Sequence, residues 1–96
     1  MTVTEILARY PWMEEPLRTY YHALPELLAD RTAGTFVIVT AGELHDTWDT
    51  FRDANQFACR LLEPETFIIQ RIDARQLAFL AEAFGPIPAE TTSCHN

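Results

Sequence analysis

Lysine is absent from this chain of 96 residues, and seven arginines stand against 14 aspartates and glutamates. The formal net charge is therefore −7 with histidine neutral. Affinity for phosphate backbones and for anionic lipid head groups comes mainly from clustered basic side chains. The shortage of positive charge thus disfavours direct binding to nucleic acid or to a membrane surface.

Long apolar runs are missing as well. Phe36 to Val39 and Leu77 to Ala81 are the longest and have only four and five residues, whereas a membrane-spanning helix needs about 20 apolar residues. The first five residues, Met1 to Glu5, lack the basic and apolar segments of a signal peptide. We therefore expect a cytoplasmic protein without a membrane segment.

Glycine and cysteine are scarce, with three and two residues. Gly34, Gly42 and Gly85 are isolated, so the sequence has no glycine-rich loop of the type that cradles nucleotide phosphates. Cys59 and Cys94 cannot build a disulfide framework, and no further Cys or His pair is spaced to complete a zinc site. We expect no cofactor and no metal. The apolar helical neighbours of Cys59 predict a buried thiol.

The residues that are present suffice for one folded domain. The hydrophobic fraction of 48% is ordinary for a globular chain, and this length has room for a single core. We predict one α+β domain over residues 1–85. Two prolines and a run of small and polar residues follow Gly85, so residues 86–96 are expected to form a loosely ordered tail.

Capping residues and periodic apolar positions predict helices at the start of the chain. Thr2 and Glu5 fit a capping box for a short helix that Pro11 ends. The segment Glu14 to Pro16 suits the beginning of a second helix. Pro25 lies inside the apolar pattern of that helix. We expect a kink or break there and two helical pieces.

The period then changes to that of β-strands. Thr35 to Thr40 and Thr66 to Ile72 are rich in β-branched and aromatic residues. The more polar segment Glu43 to Trp48 follows the first strand after a turn at Gly42. We predict a three-stranded antiparallel sheet in the order 2-1-3.

Two further helices complete the pattern. One begins at Asp49 or Thr50 and has an apolar stripe of Phe51, Ala54, Phe57, Ala58, Leu61 and Leu62. Asp73 and Gln76 fit a capping box for the other, whose apolar face has Leu77, Leu80, Ala81 and Phe84. The prediction is an α+β fold with a ββαβ core, N-terminal helices and a C-terminal helix.

The third strand is an apolar edge of this predicted sheet. The first strand is apolar on both faces, so both of its faces need cover. Phe67 and Ile69 make the third strand adhesive unless something covers its edge. Three covers remain open: a homodimer through the edge of residues 66–72, the N-terminal helices, or a different protein.

The polar residues predict no catalytic site. His45 and Asp46 would point to opposite faces of a strand, which makes joint chelation of a metal ion difficult. Trp12 lies in a connection between Pro11 and Met13 and is a candidate binding anchor. Together with Phe67, Ile69, Glu43 and Asp46 it makes up the predicted set of partner contacts.

Three functions are compatible with these observations. The leading hypothesis is a small, non-catalytic protein–protein interaction module. The alternative is an acidic inhibitor or immunity-type protein that masks a basic site on its partner with clusters such as Glu14, Glu15, Glu43, Asp46 and Asp49. The third is a small enzyme built around His22 or His45.

A pattern of packing and turn positions covers residues 34–72. It consists of Gly34 to Ile38, Trp48 to Thr50, Asp53-Ala54 and Phe67 to Ile72. With this pattern the segment resembles a widespread group of small uncharacterised prokaryotic domains. The resemblance implies a ββαβ order and a bacterial source. It carries no activity and no catalytic residue to this chain.

Overall fold

The computed structural model describes residues 2–30 and 33–85. Its elements are α1 (Val3–Arg9), a 3₁₀ turn (Pro11–Met13), α2 (Glu14–Ala29), β1 (Phe36–Thr40), β2 (Glu43–Trp48), α3 (Phe51–Leu61), β3 (Phe67–Arg71) and α4 (Gln76–Phe84). The strands form one antiparallel sheet in the order β2-β1-β3. The predicted α+β fold and strand order are confirmed. The tail predicted at residues 86–96 lies outside the described residues.

Both faces of the central strand are covered, as its composition predicts. Val37 and Val39 belong to the main core, which α1, α2 and α4 complete from one side of the sheet. Ile38 points to the other side, where it packs with Ala54 and Ala58 of α3. The alternating side chains of β1 therefore serve two separate cores.

The two edge strands differ in regularity. Between Val37 and Val39 the β1–β2 register shifts, so that β2 contributes one residue more than β1 across this stretch. The extra residue places His45 and Asp46 opposite Ile38, which is a β-bulge. The β1–β3 pairing has no such shift.

Helix α2 continues through Pro25, so the predicted division into two helical pieces is wrong. Leu24 before the proline is fully buried, and Leu28 after it packs against the same core. Pro25 itself is exposed. Burial on both sides of the proline maintains the helical path although one backbone donor is missing.

The helix caps predicted from the sequence are observed at two of three helices. Thr2 forms the predicted capping box of α1, and Thr50 accepts a hydrogen bond from the Asp53 N–H to cap α3. The capping box predicted from Asp73 and Gln76 is wrong, because α4 begins without a side-chain cap. The Asp73 carboxylate accepts instead from the backbone and the guanidinium of Arg75.

The apolar stripe of α3 is narrower in the structure than in the sequence. Ala54 and Ala58 are buried, whereas Phe51 and Leu61 are 52% and 63% exposed. The buried thiol predicted for Cys59 is wrong, since this residue is exposed. The two alanines let the helix approach the sheet closely, which turns the residues beside them towards solvent.

Candidate functional site

Antiparallel pairing decides which backbone groups of β3 point outward. Paired residues exchange both of their hydrogen bonds only at alternate positions. Thr40 and Glu43 close the two-residue hairpin turn, so the N–H and C=O groups of Thr40 point towards β2. Phe67, opposite Thr40 on the other side, therefore turns its backbone groups away from β1. Ile69 and Arg71 share this orientation because the strand repeats every two residues.

Hydrogen bonds at the end of β3 independently show which residues turn their backbone groups outward. The Ile72 N–H donates to the Thr35 carbonyl at 2.9 Å, and the Gly34 N–H donates to the Ile72 carbonyl at 2.8 Å. Ile72 thus faces β1 with both backbone groups, and so do Gln70 and Ile68. The odd-numbered residues of β3 form its outer edge.

Tyr20 of α2 closes one end of this edge. Its hydroxyl donates to the carbonyl oxygen of Arg71 at 3.1 Å and also contacts the amide oxygen of Gln76. The side-chain amide of Gln76 in turn donates to Gln70 at 3.1 Å. Tyr20 is fully buried, and this burial raises its pKa to about 12. The hydroxyl is therefore a neutral donor at physiological pH.

Glu65 closes the other end. Its φ of 63° lies in the left-handed region, and among the described residues only glycines share a positive φ. Such a backbone interrupts the extended conformation that a sheet partner needs. The accessible part of the edge is consequently the segment from Phe67 to Ile69.

The N–H and C=O groups of Phe67 and Ile69 have no hydrogen-bond partner within residues 2–30 and 33–85. The side chains of both residues are half-buried and pack beside Ile38 in the smaller core. Of the three covers that the sequence leaves open, the N-terminal helices protect only the Arg71 end of the edge. Among the residues that the structure describes, an apolar strand segment therefore keeps backbone groups without partners.

The other predicted partner contacts lie elsewhere. Trp12 is half-buried, packs against the main core and lines a groove of about 670 Å³ beside Gly42 and Thr66. Glu43 and Asp46 are exposed on β2, the opposite edge of the sheet. The structure therefore brings together Phe67 and Ile69 and separates them from the predicted acidic contacts.

Sequence reasoning missed three residues that define the edge: Tyr20, Glu65 and Arg71. Arg71 could have been found, because it continues the alternate spacing of Phe67 and Ile69 along the predicted strand. Tyr20 had no comparable signal, since it lies 51 residues from the carbonyl that it contacts.

A second groove, of about 400 Å³, lies between β2 and α3. Its lining residues are Trp48, Asp53, Gln56, Phe57, Arg60 and Leu61. The rings of Trp48 and Phe57 pack with their centroids 4.9 Å apart. The buried indole nitrogen of Trp48 has no hydrogen-bond partner in the described part of the chain. This groove presents mainly aromatic and aliphatic surface.

In the described part of the chain, the groups considered for catalysis or metal binding do not form a cluster. Within the described ranges, no three His, Cys, Asp or Glu side chains are placed to hold a metal ion. His22 is exposed on α2, and the His45 ring nitrogen Nε2 lies 3.2 Å from the Thr40 hydroxyl. No helix in residues 2–30 or 33–85 has the length and apolar character needed to cross a bilayer.

No protein-family model, no curated protein and no solved structure matches the chain. The resemblance of residues 34–72 to small prokaryotic domains therefore stays a prediction.

Proposed function

We propose that the chain is a small, non-catalytic protein-interaction module that accepts a β-strand along the outer edge of β3. The observation that carries this proposal is that the outward backbone groups of Phe67 and Ile69 have no partner in residues 2–30 and 33–85. Main-chain hydrogen bonds from an added strand provide affinity, and alternate side chains provide selectivity. The half-buried side chains of Phe67 and Ile69 supply the apolar part of the contact.

The contrast with β2 supports this choice of edge. Proteins protect unused edges with charged side chains and bulges that discourage a further strand. The β2 edge has both kinds of protection, in exposed Glu43 and Asp46 and in the bulge at His45. The open segment of β3 has neither a charge, a proline nor a bulge.

The acidic inhibitor remains a second candidate function. It is favoured by the exposure of Glu43 and Asp46 on the β2 edge. A partner held by these carboxylates would dissociate as salt screens the charges. A strand added to β3 through main-chain hydrogen bonds would respond to salt far less. Binding measured at low and high ionic strength, for the chain and for Glu43→Gln/Asp46→Asn, separates the two functions.

Removal of one outward N–H tests the proposed function directly. The exposed Cys59 follows Ala58, so a thioester of residues 1–58 can be ligated to a synthetic fragment of residues 59–96. N-methylation of Ile69 in that fragment removes a donor that points away from β1. The methylated chain should fold normally and lose strand addition.

N-methylation of Ile68 is the matched control, because this N–H points inward to β1. It should weaken the fold itself by removing a sheet hydrogen bond. Self-association by sedimentation and capture of host proteins are both compared between the Ile69-methylated and unmodified chains. The proposed function is overturned if no association of either kind depends on the Ile69 N–H.

A further inference from the structure

We propose that the strand accepted by β3 is the β3 strand of a second copy of this chain, antiparallel, with Ile68 on the twofold axis. This inference depends on the proposed function, because it uses the same open edge. It adds the identity of the partner, the direction of pairing and the register. Each of these follows from the backbone groups and charges already described.

The free backbone groups determine the register. With Ile68 on the axis, Phe67 of each copy lies opposite Ile69 of the other, and each such pair exchanges both hydrogen bonds. All the unbonded groups of the open segment are then used. An axis at Phe67 would instead need Glu65 in extended backbone, which its φ of 63° prevents.

An axis at Ile69 is also disfavoured. It would pair Phe67 with Arg71, whose carbonyl oxygen already accepts a hydrogen bond from Tyr20 at 3.1 Å. It would also place Glu65 opposite Asp73, and like charges at opposite positions are destabilising. The Ile68 axis avoids both conflicts.

Charge complementarity favours a second copy as the occupant. With Ile68 on the axis, the Arg71 end of β3 in one copy lies beside the turn at Glu65 of the other, and twofold symmetry repeats this contact. Both side chains are exposed. Neither forms a salt bridge among the described residues, although the charge of Arg71 contributes to the lowered pKa of the Asp73 carboxyl. When two copies of the segment pair antiparallel, Phe67 meets Ile69 and the acidic end of one copy meets the basic end of the other.

The same contacts reduce the main obstacle to self-association. Each copy carries a formal charge of −7, so two copies repel one another at long range. Local pairing of Arg71 with Glu65 places the opposite charges where the copies meet, and salt screens the remaining repulsion. We therefore expect association to strengthen moderately when salt is raised from a low concentration.

A charge exchange tests the register. Glu65→Arg and Arg71→Glu each place like charges opposite one another twice per dimer, and each should weaken dimerisation about tenfold. The double variant Glu65→Arg/Arg71→Glu restores opposite charges and should return the dissociation constant to within about threefold of the unmodified chain. The dissociation constants are measured by sedimentation equilibrium.

Glu26→Arg and Arg52→Glu are the matched controls, because both residues are exposed and belong to helices rather than to the β3 edge. Their combination should leave the dimer unchanged. Circular dichroism establishes that every variant is folded before its association is compared.

Each other outcome overturns the inference in a distinct way. A chain that stays monomeric up to about 1 mM, the weak end of specific association, has no second copy as its partner. The proposed function then survives if a different protein is captured through the Ile69 N–H. Stronger association of Glu65→Arg alone would indicate the Ile69 axis. Equal association of all the charge variants would place the interface elsewhere.

Discussion

The hydroxyl of Tyr20 donates a hydrogen bond to the carbonyl oxygen of Arg71 at 3.1 Å, across 51 residues of sequence. This contact joins the middle of α2 to the last residue of β3. It also satisfies a backbone carbonyl that points away from the sheet. One helix side chain thereby limits how far a further strand can pair along this edge.

Tyr20→Phe should destabilise the fold without changing its shape. The substitution removes the hydroxyl and leaves the carbonyl of Arg71 and the amide oxygen of Gln76 without this donor. Loss of a buried hydrogen bond of this kind costs about 1 to 2 kcal/mol of unfolding free energy. Urea denaturation measures the change. Tyr10→Phe, at a residue that is 45% exposed, is the control and should alter stability by less than about 0.5 kcal/mol.

Alkaline pH should weaken the fold through the same side chain. The pKa of Tyr20 is about 12 in the folded chain, against an ordinary value of 10.0, because burial penalises the ionised form. A raised pKa stabilises the fold fully below pH 10, and this contribution falls as the pH rises towards 12. The loss is on the order of 2 kcal/mol. In Tyr20→Phe this component of the pH dependence should be absent. A stability profile between pH 8 and 12 that matches the unmodified chain would contradict the assignment.

The ion pair of Asp73 and Arg75 should make the stability of the fold depend on pH at acidic pH. Hydrogen bonds from the Arg75 side chain, then from its N–H, lower the Asp73 pKa to about 2 from the ordinary 3.8. A lowered pKa contributes stability above about pH 4, and the contribution disappears as the pH falls to 2. Asp73→Asn should therefore be less stable than the unmodified chain at neutral pH and converge with it near pH 2. Glu82→Gln, at an exposed position, serves as the control. A constant difference between the Asp73→Asn and unmodified chains across this range would refute the prediction.

Local sequence signals were sufficient for the elements and for the order of the strands. The β-branched runs around Val37 and Ile69 and the turn at Gly42 are enough to predict the strands and the hairpin. These signals gave wrong predictions where tertiary packing determines the local conformation or the burial of a residue. Pro25 stays helical because core contacts lie on both sides of it, and Cys59 is exposed because α3 approaches the sheet along its alanines.

The candidate site was likewise only partly predictable from the sequence. Phe67 and Ile69 were recognisable as an adhesive edge from their composition alone. The limits of that edge were not, because they depend on a hydroxyl from a distant helix and on the left-handed backbone of Glu65. Outward and inward backbone groups could be separated only once the β1–β3 register was known. The hydrophobic pattern of β3 fixes which side chains face the core, but it does not say which residue of β1 lies opposite Phe67.

Ala58→Leu should show how closely α3 packs on the sheet. Ala58 is fully buried against Ile38, so a larger side chain has no space there and must displace the helix. Overpacking of this kind costs about 1 to 3 kcal/mol. Cys59→Leu adds a similar side chain at the next, exposed position and should change stability by less than about 0.5 kcal/mol. Thermal and urea unfolding of the two variants provide the comparison. If both are equally stable, α3 does not rest on its alanines, and the exposure of Phe51 and Leu61 needs another explanation.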